Sequence, residues 1–322
     1  MQNDKPIHIG VLGCANVAKQ HVIPALLQLK EKFILTAVAS RTEEKANLFA
    51  DAFGCEPIVG YERLISRSDI DAVYCPLPTG LHAEWIGKAL EKGKHVYTEK
   101  SVGMSFFETH NLVTQARNKN LALMEGFMYK YHPQHQIVKE LIHKGKIGEL
   151  RHFTSSFGFP PIADKENFRY DESVGGGALM DVGAYVISAV RFITGLNMQV
   201  KAANIYRDCN NTSIYGSAYL THPSGMSSDV RFGFDNFYQC CYEVWGTKGK
   251  IIVPKAFTPK RNENTQIILE TDYGIEKITC PAANHFILAL NAFYKQCIGQ
   301  ESSEYDEMIH QAQCLENIKN AH

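Results

Sequence analysis

The stretch IHIGVLGCANVA, residues 7–18, decides how the first part of the chain folds. Ile7 to Leu12 is almost continuously apolar, the pattern of a strand buried on both faces of a sheet. It runs into Gly13-Cys14-Ala15-Asn16-Val17-Ala18, a relaxed G-x-A-x-x-A form of the dinucleotide fingerprint G-x-G-x-x-G/A. Small side chains there let the backbone approach a pyrophosphate held at a helix N-terminus. The spacing alone is a weak signal, because Ala15 replaces the second glycine; its place between a strand and a helix gives it weight. Gly13, Ala15, Asn16 and Val17 are therefore candidate cofactor-binding residues, the alternative being a tight turn with no ligand.

Outward from this turn, strand and helix alternate. A helical pattern runs to about Lys30, with Pro24 expected to kink it. FILTAVAS (33–40) is a strand, and TEEKANLFADAFG is a helix with Thr42 as N-cap, acids in its first turn and Gly54 at its stop. IDAVYCPLP, KHVYTEK and LALMEGF read as strands, and HAEWIGKALEKG and FFETHNLVTQARNKN as helices. Strands apolar on both faces, each followed by an amphipathic helix, imply a doubly wound parallel sheet, a Rossmann domain over residues 1–125. In such sheets ligands bind beyond the carboxyl ends of the strands. Glu99 and Lys100 fall at such an end. So do Ser40 and Arg41, where an NAD-binding protein usually carries an acid against the ribose 2′-hydroxyl. A hydroxyl and a guanidinium fork, with Lys45 one helical turn on, suit a 2′-phosphate instead, so NADP(H) is preferred over NAD(H).

From residue 126 the pattern changes. One helix, HPQHQIVKELIHKG, leads into period-two segments: LRHFTSSFGF, QVKAANIYR, SIYGSAYLTH, GMSSDVRFGF, QCCYEVWGT and KIIVPKAF. They predict an α+β domain, residues 126–322, built on an open, mostly antiparallel sheet, with two helices closing the chain. Between the first two strands, Gly175 to Gly177 lead into a helix carrying Asp181 and Tyr185, four apart and so on one face. The glycine run implies a close approach to the backbone there, which favours a site over a buried core aspartate.

Composition narrows the function class. The 322 residues carry a formal net charge of −1, with no basic run or acidic tail, which argues against nucleic-acid or membrane attraction through bulk charge. No apolar run approaches the roughly 20 residues of a membrane span, and the N-terminus does not read as a signal peptide. Nine scattered cysteines with no C-x-x-C pair read as reduced thiols of a cytoplasmic protein. His132 and His135 have no companion ligand at metal spacing, so no metal is expected.

Five segments together resemble the Gfo/Idh/MocA family of NAD(P)-dependent sugar oxidoreductases: the G-x-A-x-x-A turn, PLPTGLHAEW (76–85), GKHVYTEKS, MEGFMYKYHPQ (124–134) and GGGALMDVGAY. YEVWGTKGKIIVPKAFTP extends the likeness to about residue 259. The resemblance implies that Lys100 is catalytic and that Glu99 binds cofactor or orients the lysine. It implies that Leu77, Thr79 and His82 line the nicotinamide half of the cofactor, that Arg169 reaches cofactor phosphates or substrate, and that Tyr129 and Asp181 face the substrate. Ser101 stands where the family's E-K-P motif has proline, which would have held Lys100 extended. Tyr185 stands where many members carry histidine, as in a branch resembling glucose–fructose oxidoreductases, dihydrodiol dehydrogenases and sugar-nucleotide ketoreductases.

The implied chemistry moves a hydride with a proton, so a general acid must stand near the substrate oxygen. Tyr185 is expected to exchange that proton while Lys100 polarises the oxygen and lowers the tyrosine pKa. Lys100 as the direct acid is the alternative. The expected substrate is a nucleotide-linked deoxysugar, with free sugars, polyols or dihydrodiols as alternatives, since loops such as Phe157 to Phe168 set that choice. A non-catalytic NAD(P)-sensing protein is the alternative from another class. By analogy with the family, the open sheet implies a homodimer or homotetramer.

Overall fold

The computed structural model describes residues 5–164 and 166–321. The first four residues, which entered the reading of the N-terminus, and Lys165 of the loop after Phe157 lie outside them. The chain divides into two compact units, one of residues up to Phe127 with Phe286–Ile309, the other of Met128–His285 with the residues from His310.

In the first unit, strands β1 (Ile7–Leu12), β2 (Phe33–Ser40), β3 (Glu56–Val59), β4 (Ala72–Cys75), β5 (His95–Thr98) and β6 (Leu123–Glu125) form one sheet in the order β3-β2-β1-β4-β5-β6. Every pairing is parallel. The order reverses between β1 and β4, and the crevice beyond the carboxyl ends at such a reversal is where doubly wound sheets take ligands. The near-continuous apolar strands follow from this arrangement: Ile9, Val11, Val38, Val73 and Val96 are all buried.

The first helix is not a regular α-helix. A π-helical segment, Ala18–Val22, runs into α1 (Ile23–Leu26) with no break in helical backbone, and Pro24 lies inside that run, where it lacks the N–H for an intrahelical bond. α2 (Glu43–Phe53) begins after Thr42 with Glu43 and Glu44 in its first turn and ends at Gly54, φ +69°. α3 (Tyr61–Ile65), α4 (His82–Glu91) and α5 (Phe106–Asn118) follow. Strand β3 escaped the sequence reading because it is a short edge strand in which Ile58 is the one buried residue.

The second unit holds an eight-stranded sheet of β7 (Leu150–Gly158), β8 (Gln199–Arg207), β9 (Ser213–Thr221), β10 (Ser227–Gly233), β11 (Gln239–Gly246), β12 (Gly249–Val253), β13 (Thr265–Thr271) and β14 (Gly274–Cys280). The order is β14-β13-β12-β11-β7-β10-β9-β8, and β7 with β10 is the parallel pair in an otherwise antiparallel sheet. The hairpin of β13 and β14 was not anticipated. Helix α6 (Pro133–His143) packs on β13, and α7 (Ala184–Thr194) on β7 and β10. The opposite face exposes Tyr206, Tyr219 and Trp245. The helical stretch Glu172–Thr194 is long and apolar enough to cross a membrane, contrary to the composition reading, but 78% of its apolar window is buried inside the protein, as in a core helix.

The expected continuous second domain, 126–322, is therefore interrupted. Of the two closing helices, α8 (His285–Cys297) and α9 (Tyr305–Lys319), α8 from Phe286 onward belongs to the first unit. Phe293 stacks against Phe33 and tilts against Tyr97, with ring centroids 6.3 and 5.6 Å apart. An apolar helix at the chain's end finds its partner by burial, and its position in sequence does not report which core it joins.

Candidate active site

Gly13 leaves β1 with φ +110°, and a Cβ on it would stand 2.8 Å from Leu77 Cδ2, so only glycine fits this turn. A cleft of about 200 Å³ opens here, lined by Gly13, Ala15, Ser40, Arg41, Lys45 and Leu77 from the expected set. Asn16 and Val17 are not among its lining residues; they begin the helical turns that follow. Cys14, Thr42, Tyr61, Pro76 and Pro78 complete the lining and were not anticipated as cofactor residues. Burial raises the Tyr61 hydroxyl pKa, and the Arg41 charge opposes that rise, which places the guanidinium within electrostatic reach of the ring. Two cations, three hydroxyls and no carboxylate line the cleft. That donor set fits a ribose 2′-phosphate.

The end of β5 shows why the strand finishes in charge. Glu99 N donates to Cys75 O (3.0 Å), and Glu99 Oε1 accepts the Tyr74 hydroxyl at 2.6 Å. Tyr74 is fully buried, and burial, with the neighbouring carboxylate, raises its pKa well above the ordinary phenol value, so it stays a donor. Gly126 follows β6 because a Cβ there would meet Thr98 O at 2.8 Å. The Lys100–Ser101 peptide is cis.

His82 is completely buried and does not line a cofactor surface. Its Nδ1 lies 2.7 Å from Ser101 O and its Nε2 2.8 Å from Leu77 O. Two carbonyl partners favour the charged ring, but burial outweighs them and holds the pKa below the ordinary value. The ring clasps the loop carrying Leu77 and Thr79 to the turn carrying Lys100. Thr79, in a 3-10 turn, and Leu77 are both nearly buried.

In the second unit Asp181 sits in a π-helical segment, Leu179–Gly183, that precedes α7. Hydrogen bonds in such a segment run i→i+5, so the four-residue spacing to Tyr185 does not define a regular α face. Asp181 Oδ2 accepts from Arg169 Nε at 2.7 Å. Tyr185, in the first turn of α7, is 7% exposed; its hydroxyl lies 3.6 Å from Met128 Sδ, and its ring meets Phe157, Phe257 and Tyr129 at 5.5, 5.7 and 5.8 Å. Tyr129 does not face a substrate surface. It is fully buried and donates its hydroxyl to Ser188 Oγ at 2.9 Å, supporting Tyr185 from behind.

The glycine run also reads differently. A Cβ on Gly176 would lie 2.5, 2.6 and 2.8 Å from the carbonyl oxygens of Phe168, Asp171 and Arg169. What approaches the backbone is the chain's own loop, which in turn sets Arg169. Glu172 Oε1 moors that loop, accepting from Arg207 Nη1 (2.8 Å) and Ser213 N (2.7 Å). His132 and His135 are buried core residues: His135 Nδ1 meets the Tyr242 hydroxyl at 2.8 Å and Nε2 meets Ala256 O at 3.0 Å. Among the described residues no group of three or more His, Cys, Asp or Glu could hold a metal ion.

Residues 7–127 match the oxidoreductase family with an NAD-binding Rossmann fold, and residues 135–252 match the GFO/IDH/MocA C-terminal domain. The chain belongs to the Gfo/Idh/MocA family. It is an oxidoreductase, and the resemblance read from its motifs holds over both units. It is similar to dTDP-3,4-didehydro-2,6-dideoxy-alpha-D-glucose 3-reductase of Saccharopolyspora spinosa, 40% identical over 328 residues and 98% of each chain. It is similar to D-xylose 1-dehydrogenase (NADP(+)) 2 of Haloferax volcanii, 32% identical over 92% of this chain and 91% of that one. Among solved structures, KijD10, a 3-ketoreductase from Actinomadura kijaniata in complex with NADP and TDP-benzene, superposes with a TM-score of 0.93 at 35% identity, covering 98% of both chains.

Proposed function

We propose that this protein is an NADP(H)-dependent ketoreductase of a nucleotide-linked deoxysugar. The observation that carries the reading is the 40% identity, end to end, with a reductase of a dTDP-linked keto sugar. The cation-lined cleft supports NADP(H): Arg41 and Lys45 would take the 2′-phosphate, with Ser40 at the same end of β2 and the Gly13–Val17 turn at the pyrophosphate. When bound, the cofactor supplies or accepts the hydride. The rest of the work falls to this chain. Lys100 polarises the substrate oxygen, Tyr185 exchanges the proton at that oxygen, and the aromatic rings around Tyr185 exclude water from it. Asp181 holds a substrate hydroxyl, Glu99 fixes the turn that carries Lys100, and His82 and Tyr129 position Lys100 and Tyr185 from behind.

A second reading, dehydrogenation of a free aldose, is favoured by the 32% identity with a D-xylose dehydrogenase. Incubating the purified protein with NADP(H) and a panel of keto-sugar nucleotides, free aldoses, polyols and dihydrodiols, and following reduced nicotinamide by absorbance, separates the two. Turnover confined to nucleotide-linked sugars supports the ketoreductase; turnover of free sugars or diols retires it. The nine cysteines are all free thiols, which supports the cytoplasm as the protein's compartment. The open sheet face supports a homodimer or homotetramer.

A further inference from the structure

Phe168 is a large aromatic side chain left 48% exposed, and the Arg169 guanidinium lies over its ring, 5.0 Å from the centroid. Neither position is a matter of slack chain. The two residues ride a 3-10 turn, Phe168–Tyr170, capped by Asn167 Oδ1, which accepts from Arg169 N at 3.2 Å. The carbonyls of Phe168, Arg169 and Asp171 press on Gly176, and Tyr170 O accepts the Thr212 hydroxyl at 2.8 Å. The Tyr170 hydroxyl meets Ile162 N at 3.0 Å. An exposed ring and a guanidinium are thus held side by side by the whole loop, and the same guanidinium donates to Asp181 at 2.7 Å.

We propose that Phe168 and Arg169 form the subsite for the nucleoside diphosphate of the substrate, a proposal that rests on the nucleotide-sugar reading above. A base stacks on any aromatic face, and a guanidinium presents a planar fork of donors matched to a diphosphate's oxygens. Because Arg169 also holds Asp181, the side chain that binds the nucleotide end positions the carboxylate assigned to the sugar. Binding energy from the non-reacting part of the substrate is then expressed in turnover as well as in affinity.

The test uses dTDP as a probe, by isothermal titration against the NADP-loaded protein and as an inhibitor of keto-sugar-nucleotide reduction. Competitive inhibition is expected in the wild type. Phe168→Ala is expected to weaken dTDP about tenfold, from the usual worth of one base–aromatic stack. Phe168→Trp should restore the affinity, a rescue that a merely structural role of Phe168 would not produce. Arg169→Lys should weaken dTDP about tenfold or more and also lower kcat, with NADPH affinity unchanged. Wild-type dTDP affinity in Phe168→Ala and Arg169→Lys, with nucleotide-sugar turnover intact, overturns the subsite and leaves the ketoreductase reading standing. No dTDP binding to the wild type, with turnover of free sugars, overturns both.

Discussion

Lys100 stands two residues beyond β5, in a turn held on both sides: Glu99 by the Tyr74 hydroxyl, Ser101 O by His82. Lys100→Ala is expected to abolish turnover and leave NADPH binding largely intact, measured by nicotinamide fluorescence titration; normal turnover would remove the lysine from the chemistry. Tyr185→Phe should lower kcat strongly and change the pH–rate profile, and an unchanged profile would hand the proton to Lys100. Arg41 is an exposed cation in the cofactor cleft. Arg41→Ala should weaken NADPH by about 10- to 100-fold, the worth of a charge-assisted hydrogen bond, and NADH far less; equal losses would reject the 2′-phosphate assignment. The placement of Lys100 and Arg41 just beyond strand ends was legible, because the strand pattern reports it directly. The burial of His82 and Tyr129 was not, because sequence marks a residue's neighbourhood and not which way its ring points.

At the scale of elements, strand ends and the Gly54 stop of α2 were readable, while Thr42 gives α2 no side-chain cap, and the two π-helical segments and the loop of residues 159–177 were not anticipated. A π segment differs from its helix by one inserted residue, and composition carries no trace of that. The glycine run was noticed and its cause misassigned: the approaching group is the loop's own carbonyls. Gly176→Ala therefore tests the loop. Its methyl would press on three backbone oxygens, so we expect a destabilisation of about 1–3 kcal/mol. Substrate KM should rise as Arg169 shifts, while NADPH affinity holds. A melting temperature and KM equal to wild type would show that the loop yields freely.

At the scale of the whole molecule, buried histidines set the acid limit of stability. His135 is completely enclosed, with Ala256 O and the Tyr242 hydroxyl on its two nitrogens, and burial pushes its pKa down to about 3. In the unfolded chain the ring titrates near 6.5. Between these values the unfolded state binds a proton that the folded state refuses. Stability from this group is thus present above about pH 6.5 and is lost as pH falls towards 3, by about 1.4 kcal/mol per pH unit. Urea midpoints at pH 7 and pH 5 should show that slope, and His135→Gln should flatten it. The open sheet face gives the second prediction at this scale. Trp245 is 59% exposed on it, and Trp245→Glu should shift sedimentation velocity from an oligomer towards monomer. A monomeric wild type would refute the proposed assembly.

The sequence by itself determined the two architectures, the G-x-A-x-x-A turn, the cation-bearing end of β2 and the order of the family's motifs. These depend on residue type and spacing over a few turns, which is what a linear pattern records. Tertiary structure alone decided that α8 closes the first unit and that β13 and β14 extend the second sheet. It alone placed His82 and Tyr129 inside and set Arg169 between Phe168 and Asp181. Each of those depends on burial and contact between residues far apart along the chain, where the choice of partner is made by packing and not by local propensity.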